Sequence, residues 1–333
     1  MCCKRIKIAV ILILCITALA VITGGYLFFG RKTLPPDAAK AAAGGADWMA
    51  QVDGARKLNE ITIPGAHDSC AWNSDFSYFS QCQYVDTAQQ LNMGIRYLDI
   101  RISLDDGKED LIMTHSVAVC REGQKMLGKI LTLNKVLADC YSFLEEHPGE
   151  TIVFCVKPED DQALCRKLLL EKLEQRQEMW YTDQEVPALT AVRGRLVLAS
   201  RFSQQYGLGK GITLRWDEQD NREVLDEPFF AGEADETTAL YVQDRYCYEE
   251  EDKWNAVRYG LEEKCRQTEG KNALVLQFLS TKGPASLGHP YRYAGRINEK
   301  MLDYRLERGR NYGWIIMDFA RPDLVRHIYE VNL

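Results

Sequence analysis

Eight short runs rich in β-branched and aromatic residues recur along the chain, and their order limits the folds open to it. They lie at 61–67 (ITIPGAH), 95–103 (IRYLDIRIS), 111–116 (LIMTHS), 151–157 (TIVFCVK), 195–202 (RLVLASRF), 240–246 (LYVQDRY), 273–280 (ALVLQFLS) and 312–319 (YGWIIMDF). Segments with helical spacing of apolar residues stand between several of them, at 133–147, 160–175, 251–267 and 296–309. Strand–helix alternation is the mark of a parallel sheet with helical crossovers. Eight strands predict an α/β fold of the closed (β/α)8 TIM-barrel kind. No helical segment separates the second run from the third, and 203–239 is polar without clear periodicity, so the barrel is expected to be distorted.

The N-terminus reads differently. Residues 8–29 carry no charge and follow the basic stretch MCCKRIK. About 20 apolar residues cross a bilayer, and basic residues prefer the cytoplasmic side. The expectation is an N-terminal transmembrane helix, placing the protein as single-pass in the cell membrane with an extracellular catalytic domain. The alternative is a cleaved signal sequence at Ala18-Leu19-Ala20 and a secreted product. A Pro-, Ala- and Gly-rich stretch follows. The expected organisation is therefore anchor or signal at 1–30, linker at 31–47 and one folded domain at 48–333. Eight cysteines lie beyond the apolar run, an even number that permits disulfides without establishing them, and buried free thiols are the equal alternative. Net charge is −7 and no dense Lys/Arg stripe occurs, which argues against nucleic acid as a partner.

In barrels of this kind the active site forms at the C-terminal ends of the strands. Polar residues fall there with unusual regularity: His67 and Asp68, Asp99 and Arg101, His115, Lys157, Arg201, Asp244 and Asp318. Two imidazoles flanked by carboxylates and cations suit phosphoryl transfer, one ring taking a proton from an attacking hydroxyl and the other giving one to the leaving oxygen. His289 and His327 carry no motif. No metal or other cofactor is expected. Ligation by His67, Asp68 and Asp99 lacks HxH or HExxH spacing, and Arg101 would put a positive charge beside the ion.

The local motifs PGAHDS (64–69), GIRYLDIR (94–101), IMTHS (112–116), FLEEHPGETIVFCVK (143–157), GRLVLASRF (194–202), YVQDRY (241–246) and YGWIIMDF (312–319) stand in one order along the chain. In that order the chain resembles bacterial phosphatidylinositol-specific phospholipase C, from about Trp48 to the C-terminus. The resemblance implies a distorted TIM barrel that cleaves phosphatidylinositol to diacylglycerol and a cyclic inositol phosphate without metal. By the same resemblance His67 is the base on the inositol 2-hydroxyl, Asp318 its partner, His115 the acid, Asp68 the partner of His115, and Arg101 the stabiliser of the phosphorane oxygens. Lys157, Arg201 and Asp244 fall on positions that bind inositol hydroxyls, with Asp99, Tyr246 and Tyr293 completing the expected headgroup contacts.

Three positions depart from the family pattern. Ala66 stands for the usual threonine, Ser116 for glycine, and Arg292 where a tyrosine stacks on the inositol ring, with Tyr293 beside it. Two other readings stay open: a metal-dependent glycerophosphodiester or sphingolipid phosphodiesterase on a similar barrel, and a surface module that binds inositol lipid without turnover. The expected partner is a membrane lipid surface, and the chain is expected to act as a monomer. Trp72, Phe76 and Phe79, just after the first catalytic strand, either meet that surface or pack as core and lid.

Overall fold

The computed structural model describes residues 30–35, 45–123, 128–284 and 289–333. Its twelve strands are β1 (Ile63–Ala66), β2 (Tyr97–Leu104), β3 (Leu111–His115), β4 (Ala118–Val119), β5 (Thr151–Pro158), β6 (Trp180–Tyr181), β7 (Arg195–Ser200), β8 (Ile212–Thr213), β9 (Phe230–Glu233), β10 (Ala239–Gln243), β11 (Ala273–Phe278) and β12 (Trp314–Met317). Nine of them follow one another in the sheet in the order β6-β7-β5-β2-β1-β12-β11-β10-β9, with β3 and β4 attached beside β2 and β8 beside β7. From β6 to β10 every pairing on that path is parallel, and β9 turns antiparallel against β10.

The strands are apolar on both faces because the barrel interior lies on one side and helices on the other. In β5, Ile152 to Val156 are all without exposure. The helix Leu133–Glu146 shows how its cover is built. Thr132 accepts a hydrogen bond from the Lys135 amide at its start, and Leu133, Val136, Leu137, Cys140, Tyr141 and Leu144 make one buried stripe. Each such fully buried aliphatic side chain contributes on the order of 1.5–3 kcal/mol. The helix Thr87–Met93 must stop before β2, and Gly94 ends it at φ 115°, against the Tyr329 ring where any side chain would collide.

Two expectations about the barrel need correction. It is not closed. Among the described residues no ladder joins the β6/β8 edge to the β9 edge, so the fold is an open α/β barrel rather than a complete (β/α)8 ring. Side chains from the polar stretch 203–239 reach β10 on this side instead. Gln219 donates to Val242 O at 3.1 Å and accepts from the Asp244 amide at 3.0 Å. The third predicted strand also stands apart from the parallel path. β3 folds back antiparallel on the outer half of β2, pairing Leu111 with Leu104 and Met113 with Ile102, because a short turn and no crossover helix connects them. That return carries His115 back toward the mouth.

The expectation of an N-terminal transmembrane helix, and of a single-pass location built on it, is corrected as well. No helix among the described residues is long and apolar enough to cross a membrane, and residues 8–29, on which it fell, lie outside the described residues. Of the stretch read as linker, residues 31–35 and 45–47 are described, and Lys32 is hydrogen-bonded to the barrel through Gln81. Cys70, Cys82, Cys120, Cys140, Cys155, Cys165, Cys247 and Cys265 are all free and buried.

Candidate active site

Strand register brings the polar residues to one level. β1 and β12 end their ladder at Ala66 opposite Met317, so the next residues, His67 and Asp318, face each other across the strand ends. His67 Nδ1 lies 2.8 Å from Asp318 Oδ1. β2 and β5 set Arg101 beside Lys157, and the ladder of β5 and β7 continues past Ser200 with the Arg201 amide on Val156 O at 2.8 Å. These residues surround a cavity of about 420 Å³ at the mouth of the barrel.

Its floor is a chain of charges. Asp68 Oδ2 lies 3.3 Å from His67 Nε2 and 3.3 Å from His115 Nε2, joining the two rings. Asp68 Oδ1 is 3.2 Å from Arg101 Nε. Arg101 in turn makes a two-pronged pair with Asp99 at 2.9 Å on each arm, and its remaining nitrogen meets Glu159 at 2.8 Å. Such a fork fixes the guanidinium plane. The backbone bends sharply at three of these points, with Asp68 at φ 41°, Ser116 at φ 55° and Phe319 at φ 50°, all in the left-handed region. The usual glycine after the second histidine has its reason here, and Ser116 occupies the position under strain.

Electrostatics set the protonation. Burial lowers the affinity of the His67 ring for a proton, but Asp68, then Asp318 with its hydrogen bond, then Asp99 outweigh it and raise the ring to about 9. Asp68 and Asp99 are held below the usual carboxylate range, against the opposing effect of burial, chiefly by Arg101. Lys157 is lowered by burial and by Arg101 and Arg201. His67, Asp68 and Cys82 place one ligand atom each within 4.8 Å of one another. A divalent ion there would sit against the fixed charge of Arg101.

Among the residues expected to touch substrate, Lys157, Arg201, Asp244, Tyr246 and Tyr293 line the cavity with the two histidines, Asp68, Arg101 and Asp318. Asp99 does not. It is wholly buried beneath the floor, where both its oxygens accept from Arg101. Arg201 stacks on the Trp216 ring at 3.7 Å, and its Nη1 is buried with no hydrogen-bond partner among the described residues. Trp216 Nε1 donates to Asp244 at 3.2 Å, and the Tyr246 hydroxyl donates to Glu218 at 2.8 Å. Arg292 and Tyr293 both reach the wall, the guanidinium 5.4 Å from the Tyr293 ring. Sequence reasoning missed Glu159, Trp216, Glu218 and His289. Glu159 follows a strand end by one residue and was open to the same rule that found Lys157. Trp216 and Glu218 come from the aperiodic stretch, which carries no signal of direction.

An open parallel α/β barrel thus brings two imidazoles joined through one carboxylate beside a clamped arginine, an arrangement chemically able to transfer protons at two points next to a fixed positive charge. Residues 54–168 match the family model PI-PLC X 1. A 1-phosphatidylinositol phosphodiesterase of Staphylococcus aureus (strain Newman) is 27% identical over 311 residues, covering 86% of this chain and 94% of the relative. A Listeria monocytogenes protein of the same name is 24% identical over 310 residues, covering 86% and 84%. In structure the fold is similar to phosphatidylinositol-specific phospholipase C from Staphylococcus aureus, with TM-score 0.73 at 24% identity over 88% of this chain and 99% of that one. The Listeria monocytogenes enzyme gives TM-score 0.66 at 21% identity over 87% and 99%.

Proposed function

We propose that this protein is a phosphatidylinositol-specific phosphodiesterase in which His67 and His115 split the proton transfers. The observation that carries the reading is the Asp318–His67–Asp68–His115 chain, in which each Nε2 lies 3.3 Å from the same carboxylate oxygen and His67 Nδ1 is held at 2.8 Å. His67 takes the proton of the inositol 2-hydroxyl, whose oxygen attacks phosphorus. His115 protonates the glycerol oxygen as its bond to phosphorus breaks. The products are diacylglycerol and inositol 1,2-cyclic phosphate. Arg101 balances the charge that grows on the phosphorus-bound oxygens. Lys157, Arg201, Asp244, Tyr246 and Tyr293 bind the ring and its hydroxyls. No step calls for a metal.

A lipid surface is the partner. Phe79 is 43% exposed at the cavity wall, Phe76 is 45% exposed beside it, and Val117, at the turn after His115, is 90% exposed. Exposed apolar side chains around a polar mouth suit contact with a bilayer. Trp72 is buried and takes no part in that rim. All the proposed groups come from one chain, which supports action as a monomer.

The test is cleavage of phosphatidylinositol vesicles in chelator, following phosphorus by NMR. Appearance of the cyclic phosphodiester supports the reading. Activity only with added divalent metal would favour the metal-dependent alternative, and binding without product the non-catalytic one.

A further inference from the structure

Two buried glutamines that no motif singles out lie behind the catalytic pair. Gln83 is wholly buried, and its amide caps the two strands that carry His67 and Asp318. Nε2 donates to His67 O at 2.7 Å and to Met317 O at 2.9 Å, and Oε1 accepts from the Ala320 amide at 3.1 Å. The Phe319 amide is taken by Cys82 O at 2.6 Å. The turn on each side of Asp318 is thus fastened to residues 82 and 83 while Phe319 stays left-handed.

Gln81, equally buried, continues the chain outward. Its Nε2 donates to Gln83 O at 2.9 Å and to Lys32 O at 2.8 Å, and its Oε1 accepts from the Lys32 amide at 2.7 Å. A glutamine side chain here does the work of a neighbouring strand for residue 32. Leu34 packs against the cluster of Tyr84, Ala294 and Phe319, and Lys32 Nζ lies 5.5 Å from the Tyr291 ring. Buried amides with this many satisfied partners fix one geometry, since losing a partner strands the rest.

We propose that Gln83 is a positioning residue for the His67–Asp318 pair, and that the strap 30–34 braces it through Gln81. The proposal rests on the reading of His67 as the base, and it makes the strap part of the catalytic domain. The strap acts through strand ends: a His67 ring that shifts against Asp318 loses its alignment with the attacking hydroxyl.

The experiment uses the full chain with Gln83→Met, which keeps length and removes the hydrogen bonds, and Lys32→Pro, which removes the amide donated to Gln81 and is compared with Lys32→Ala, which removes only the ammonium near the Tyr291 ring. Three quantities are read: kcat and KM on phosphatidylinositol vesicles, the pH profile, and the downfield proton resonance of the His67–Asp318 hydrogen bond, assigned by its loss in Asp318→Asn. Gln83→Met is expected to lower kcat by about 10–10²-fold with KM changed less than about threefold, and Lys32→Pro by a smaller factor in the same sense. The His67 resonance should broaden or move upfield in both, and the acid limb should move downward. Variants that lose thermal stability alone, with kcat, limb and resonance as in wild type, overturn the proposal. If Gln83→Met does not fold, Lys32→Pro decides by the same readings. A wild type inert toward phosphatidylinositol, whose resonance still responds to the variants, overturns the functional reading and leaves this one standing.

Discussion

His67 and His115 share one carboxylate and differ in how they are held. His67 ends a strand inside the continuous parallel ladder, with Asp318 on one ring nitrogen and Asp68 near the other. His115 ends an antiparallel strand outside the parallel path, beside an exposed turn, and its Nδ1 has no hydrogen-bond partner among the described residues. The contrast suits the proposed roles. A base must meet one hydroxyl in one orientation, whereas an acid must follow a leaving group that moves away.

Removing either ring should give the largest effect. His67→Ala and His115→Ala are each expected to lower kcat by about 10²–10⁴-fold on phosphatidylinositol, with folding intact by circular dichroism. Retained activity in either would break the pairing. Arg101→Lys comes next. Lysine keeps charge and loses the fork onto Asp99, so kcat should fall by about 10²–10³-fold.

Asp318→Asn sharpens the contrast through pH. With His67 raised to about 9, the ring is protonated at neutral pH, and kcat/KM should climb as pH approaches that value. Without the Asp318 charge the limb should move toward the ordinary 6.5, with kcat down by about 10²-fold from lost orientation. The sign for stability follows. A raised folded-state value makes the pair's contribution complete below 6.5 and lost as pH rises through about 9, so the variant's denaturation midpoint should vary less across that window. The smallest effect belongs to the His115 side. Ser116→Gly relieves a left-handed residue and should stabilise the fold by about 0.5–1 kcal/mol by thermal denaturation, with activity nearly unchanged.

The same contrast marks what was legible in the sequence. His67 and Asp318 could be found because period-two apolar runs locate strand ends, and parallel strands put those ends on one rim. All eight predicted runs are strands, at 63–66 in place of 61–67 for the first and 314–317 in place of 312–319 for the last. His115 was found too, but for an incomplete reason, since its run is an antiparallel return and not a barrel strand. The opening of the barrel was hidden because side-chain bonds from Gln219 and Trp216 leave no periodic trace. Asp99 and Asp68 read alike in sequence, and only the register and the Arg101 fork separate the buried clamp from the bridge between the rings.

The measurement that tests the division of labour most directly compares two inositol phosphodiesters, one with the diacylglycerol leaving group and one with an activated phenol that departs without a proton. The account predicts that the phenol restores most of the kcat lost in His115→Ala and little of that lost in His67→Ala. Equal rescue of both variants, or rescue of His67→Ala alone, would contradict it.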